Sequence, residues 1–168
     1  MLGITCNSQK SNCEQSNSEE LKLWPINASF KLPPYLITDS TKFGKETILN
    51  YNIKSIDSSL NVIASIKNYE NPPPAQFDLK QHMLFAKQEI QFNRKVDKLT
   101  ETFKDIDTLR AGYLKYMVEQ KDKKSYEGRI FFYKDKKLVE LWLFENYNED
   151  KDKEHLIMDC VLQSIKFY

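Results

Sequence analysis

Two histidines occur in the chain, His82 and His155, and neither has the neighbours that histidine chemistry needs. A zinc hydrolase gathers its ligands with a spacing such as H-E-x-x-H, and structural zinc sites use C-x-x-C pairs; the sequence contains neither pattern. Nucleophilic catalysis needs a base beside Ser, Cys or Thr. There is no G-x-S-x-G turn, and His155 lies five residues before Cys160, on a different face of a helix. Asp105 and Asp107 stand at a strand end without the further oxygen ligands of a calcium loop. The acidic residues from Glu149 to Glu154 alternate with lysine, as on a solvated helix start. Four glycines in 168 residues leave no material for a phosphate-cradling loop. These observations predict a non-enzymatic protein with no metal and no cofactor. A hydrolase whose carboxylates meet only in the folded chain is the least favoured reading, because such a pair leaves no local trace.

What the sequence does concentrate is aromatic surface. Phe131, Phe132, Tyr133, Trp142, Phe144 and Tyr147 fall in one stretch. Alternation sends Ile130 and Phe132 to one side of a sheet and Phe131 and Tyr133 to the other, so both sides are apolar. Either helices cover both, or a partner or ligand covers one. Earlier in the chain Phe77, Leu84, Phe85 and Phe92 recur at helical spacing and predict an aromatic stripe against the sheet. The candidate partner- or ligand-binding residues are therefore Phe85, Phe92, Phe131, Tyr133, Trp142 and Phe144. In one version Phe85, Phe92 and Trp142 hold a small apolar ligand between sheet and helix.

Charge narrows the partner. Lys and Arg total 25 against 24 Asp and Glu, so no long-range field attracts a nucleic acid. The two Lys-Asp-Lys-Lys runs at 121–124 and 134–137 flank one strand and would lie at opposite ends of it. They read as solvated hairpin loops, and another protein is the expected partner.

These residues need a scaffold. Ala28 to Leu32 predicts a short edge strand stopped by Pro33-Pro34, followed by a turn at Asp39-Ser40-Thr41. Thr47 to Ile56 and Leu60 to Tyr69 read as a hairpin around Asp57-Ser58-Ser59. Asp78 is placed to cap a helix running to Asn93, and a meander of four strands follows at 96–105, 109–119, 126–133 and 138–145. A last helix begins near Asn148, with Leu156, Ile157, Cys160 and Val161 on its inner face, and feeds the terminal strand at Ile165-Lys166-Phe167. This order predicts one α+β domain over residues 23–168, with helices packed on an antiparallel sheet, preceded by a flexible polar tail over residues 1–22.

The tail poses a question of address. Met1 to Thr5 is a short apolar run ending at Cys6, and an Asn/Ser/Gln/Glu-rich stretch follows to Glu20. Two readings stand. In the first, Cys6 is the lipidated residue of a bacterial lipoprotein whose true start lies upstream, and peripheral membrane contact goes through that lipid alone. In the second, the tail is an ordinary cytoplasmic one. Cys160 reads as a buried small hydrophobe, and three cysteines are not the count of a disulfide scaffold.

Phe30-Lys31-Leu32-Pro33, Asp39-Ser40-Thr41, the Pro-rich run before Phe77, the aromatic hairpin and Leu162-Gln163-Ser164-Ile165-Lys166-Phe167 together resemble the PsbP/Mog-like superfamily. Within it they are most similar to the bacterial DcrB-type and Eag-type chaperone branch. The resemblance implies an α/β/α sandwich and a mostly non-enzymatic group: photosystem subunits, an import factor, envelope lipoproteins, and chaperones that shield apolar segments of secreted toxins. It implies a secretion-system immunity protein or effector chaperone here. The cysteine-bearing tail departs from the chaperone branch and favours the cell envelope over the cytoplasm.

Overall fold

The computed structural model describes residues 18–23, 26–41, 47–58, 60–68, 78–106, 109–120, 123–146 and 156–168. Seven strands with alternating apolar and polar residues pair into one antiparallel sheet: β3 (Tyr35–Thr41), β4 (Thr47–Ser55), β5 (Leu60–Asn68), β6 (Val96–Ile106), β7 (Leu109–Gln120), β8 (Lys123–Lys134) and β9 (Lys137–Asn146). Their order across the sheet is β3-β4-β5-β9-β8-β7-β6, so the last strand of the meander inserts beside the first hairpin. The β8–β9 hairpin closes on Asp135-Lys136, with φ of 50° and 59°, the left-handed pair that a two-residue turn requires. Lys134 and Lys137, expected in the loop, are therefore strand residues. At the β4–β5 turn the Ser55 hydroxyl donates to Asp57 Oδ1 (2.7 Å) and accepts from the Leu60 amide (2.9 Å), which fixes the register of the hairpin. Asp39-Ser40-Thr41 does not form the expected turn. It continues β3 past a bulge between Ile37 and Asp39.

A second, three-stranded sheet is built from β1 (Glu19–Leu23), β2 (Ala28–Leu32) and β10 (Lys166–Phe167), in the order β1-β2-β10. This corrects two expectations. Glu19 to Lys22 belongs to the folded domain, because Leu21 and Leu23 alternate into the core, and β2 is a central strand with a partner on each side. Glu20 ties the sheet to the end of the described chain. Its Oε1 accepts from Ser29 Oγ (2.7 Å) and Tyr168 Oη (2.8 Å), and these two bonds hold its carboxyl below the usual carboxylate range.

Two helices complete the layers. α2 (Leu156–Ser164) and the small sheet cover one face of the large sheet, burying Met158, Val161 and Leu162 with Phe30, Ile130, Phe132, Leu141 and Leu143. Lys115 Nζ reaches from β7 to Asp159 of α2 (3.0 Å) at the edge of that core. Cys160 is half-buried and disulfide-bonded, which replaces its reading as a buried apolar thiol. The stretch 148–155, where the last helix was expected to start, is outside the described residues.

On the opposite face α1 (Leu79–Asn93) lies over β7 and β8. Asp78 caps it as expected, accepting from the amides of Lys80 (2.9 Å) and Gln81 (3.4 Å). The phase of the helix is the main correction. Met83, Ala86 and Ile90 face the sheet, packed on Leu114, Tyr116, Val118 and Phe131, while Leu84, Phe85 and Phe92 point to solvent. Gly112 shows why. A β-carbon there would run into Met83 Sδ, so the Met83 side chain lies directly on the strand and would have to shift to admit one. Gly112→Ala should therefore lower stability by about 1–3 kcal/mol in urea unfolding, and adding Met83→Ala should recover part of the loss relative to the two single changes.

Candidate functional site

Where the cover of α1 ends, the sheet carries a line of charged and aromatic side chains. Alternation along β8 turns Glu127, Arg129 and Phe131 to the α1 side. The neighbouring strand β9 presents Glu140, Trp142 and Phe144 on the same side, with Arg129 opposite Trp142 and Glu127 opposite Phe144. Phe131 fills the core under the helix. The others form the margin of that core.

Glu127 is the hub. Its side chain is 5% exposed and takes a charge-assisted bond from Arg94 Nη1, which lies 2.6 Å from each carboxylate oxygen. Tyr116 Oη (3.0 Å) and Trp142 Nε1 (3.1 Å) also donate to Oε2. Arg94 is the residue that ends α1, so this carboxylate fastens the helix to the centre of the sheet. Burial, with the Glu127 charge next, pushes the Tyr116 hydroxyl well above its ordinary range and keeps it a donor. The lone pairs of this carboxylate are committed to holding Arg94, Tyr116 and Trp142 together.

A second guanidinium lies alongside. Arg129 donates to Glu89 Oε2 of α1 (3.1 Å) and holds Glu140 Oε1 at 3.4 Å in an ion contact that lacks hydrogen-bond geometry. Lys67 of β5 reaches the same Glu140 at 3.8 Å. The indole of Trp142 lies 4.2 Å from the Arg129 guanidinium and 5.1 Å from that of Arg94, and stacks at 4.8 Å on Phe144. Three cations, Arg94, Arg129 and Lys67, thus meet three anions, Glu127, Glu89 and Glu140, and the cluster is neutral as a whole. His82 stands edge-on to Phe131 at 5.1 Å. Burial lowers its pKa below the ordinary histidine value, outweighing the pull of Glu140 in the other direction.

The six aromatic candidates separate into three groups. Phe131 is core and unavailable to a partner. Trp142, Phe144 and Tyr133 are half-buried on the sheet. Phe85 and Phe92 lie on the outer side of α1, so they cannot line a ligand space between helix and sheet, and the space there is filled by Met83, Ala86 and Ile90. Cys6 lies outside the described residues. Sequence reading missed the hub. The signal that could have found it is the pair Glu127 and Arg129 at alternate positions in a strand with two apolar faces, since charges turned inward need partners.

Among the described residues no group of three or more His, Cys, Asp or Glu is placed to hold a metal ion. None of the helices described is long and apolar enough to cross a membrane. Comparison by sequence finds no matching family profile and no matching curated protein. Comparison by structure does. The solution structure of cyanobacterial PsbP (CyanoP) from Synechocystis sp. PCC 6803 superposes with a TM-score of 0.64 at 14% identity, covering 99% of both chains. The chain has a PsbP-like fold. A crystal structure of a Pseudomonas aeruginosa protein of unknown function is a weaker match, with a TM-score of 0.44 at 10% identity over 77% of this chain and 83% of that one. In the PsbP-like fold seen here, the Glu127 hub is the joint between the α1 layer and the sheet. Glu127→Ala should cost roughly 3 kcal/mol, at the low end for a broken buried pair because Arg94 is 33% exposed and can turn to water. The truncation opens the Trp142 indole to water in the same variant, so its fluorescence should shift to the red, whereas Glu127→Gln should keep most of the emission profile.

Proposed function

We propose that this protein is a non-enzymatic binding domain that engages another protein through the outer face of α1. Its role would be that of a secretion-system immunity protein or effector chaperone, in keeping with the DcrB-type and Eag-type branch that its sequence resembles. The observation that supports this most is the composition of that face. Gln81, Leu84, Phe85, Gln88, Gln91 and Phe92 share it, all exposed and none charged, in a chain with 29% charged residues. Phe92 is 90% exposed and Phe85 59%. An uncharged stripe of this kind can be desolvated by a partner without stranding an ion, and aromatic residues at its centre are the usual anchors of such contacts.

For location we infer the cell envelope, with Cys6 as a lipid anchor and the only membrane contact. The support is the short apolar run that ends at Cys6 and the Asn/Ser/Gln/Glu-rich stretch that follows it.

A photo-crosslinking amino acid placed at Phe92 tests the binding face in the native host. A discrete protein adduct is expected at that position and not at Lys80 on the charged flank of the helix. Phe85→Ser should abolish the adduct while changing stability by less than about 0.5 kcal/mol, as for other exposed sites. Equal labelling at both positions, or no adduct at Phe92, would count against the assignment.

A further inference from the structure

The two sheets end in four edge strands, and three of them are guarded. β6 carries five charged residues among its eleven, Asp97, Lys98, Glu101, Lys104 and Asp105, and a register break with Lys98 at φ 52°. β1 has Glu19, Glu20 and Lys22 among five residues, and β10 is two residues long. Charges, bulges and short length are the means by which proteins keep an edge from pairing with another chain. β3 is different. Among the described residues β4 is its one sheet partner, and the stretch before its bulge, Tyr35-Leu36-Ile37, has no charge. Leu36 is 63% exposed and Ile37 49%, turned to opposite faces of the strand. Ile56 is exposed next to them, its amide bonded to Pro34 O at 2.8 Å.

We propose that the outer edge of β3 accepts an extended segment of another protein as an added strand. This surface is independent of α1, since three strands separate β3 from β8 beneath the helix. A backbone edge with no partner among the described residues selects the conformation of the partner, which must be extended to meet it. Leu36 and Ile37 select its side chains: apolar or β-branched residues at alternating positions, with no charge opposite the Tyr35 to Ile37 stretch. A second copy of this chain fits less well. Pro34 has no amide to donate and the bulge follows Ile37, which leaves three residues on that side for a symmetric pairing of two β3 strands. That contact falls far below the roughly 1,200 Å² buried in a stable interface. A flexible segment brings no bulge of its own and can follow both halves of β3. Thr38, at the bulge, turns its hydroxyl back to Asn52 O (3.1 Å), so it does not obstruct the outer edge.

The test uses the full chain labelled for amide NMR and a blocked peptide of alternating threonine and valine with a lysine at each end. The expected result is a saturable shift of the β3 amides, with slower hydrogen exchange at those that do not face β4. Ile37→Lys should weaken binding by about tenfold, as a charge placed on an edge does, and Leu36→Lys gives the same reading should Ile37→Lys destabilise the fold. A peptide N-methylated on every amide should not bind, because neither of its edges keeps a donor. The proposal is overturned if the β3 amides stay unmoved, if the methylated peptide binds equally well, or if the protein alone forms a dimer whose interface is β3.

Discussion

A strand buried on both faces needs cover on both sides, and in this protein β8, with β7 beside it, is such a strand. Ile130 and Phe132 enter the core beneath α2 and the small sheet, and Phe131 enters the core beneath α1, all three almost fully buried. Both helical layers exist to keep these side chains from water. Burial of each large side chain contributes about 1.5–3 kcal/mol, which makes this short run one of the strongest determinants of the architecture. The cover on the α1 side is one helix wide. Charged side chains therefore begin where α1 stops, and they are tolerated there because each is met by an opposite charge or a neutral donor.

Much of this plan is legible in the residues. The 2.0 period of Ile130 to Tyr133 gives the two-faced strand, Asp78 announces the start of α1, and the terminal Ile165-Lys166-Phe167 does close the fold against β2. The phase of α1 is less legible, because two stripes recur at helical spacing. Leu84, Phe85 and Phe92 form the more hydrophobic one; Leu79, Met83, Ala86 and Ile90 form the one that packs. Bulk loses to fit here, since the close approach over Gly112 suits the flexible Met83 and the small Ala86. That choice is tertiary and cannot be read from periodicity. β1 is hidden for a different reason: Glu19, Glu20 and Lys22 make it look like tail, and only the alternation of Leu21 with Leu23 gives it away.

The same choice shapes the functional reading. Once the smaller stripe is used for packing, the aromatic one is left outside, and a PsbP-like fold acquires an uncharged surface on its outer helix. The fold by itself does not assign an activity, because function lies in the site that a scaffold carries. The Glu127 cluster, with its balanced charges and committed lone pairs, acts as the fastening that holds that surface in place.

The phase of α1 is thus the central claim, and hydroxyl-radical footprinting with mass spectrometry tests it most directly. Methionine is at least as reactive as phenylalanine toward hydroxyl radicals, so protection of Met83 beside oxidised phenylalanines has to come from burial. Protection of Met83 together with rapid oxidation of Phe92 and Phe85 is the predicted result. Rapid oxidation of Met83 with both phenylalanines protected would contradict the account.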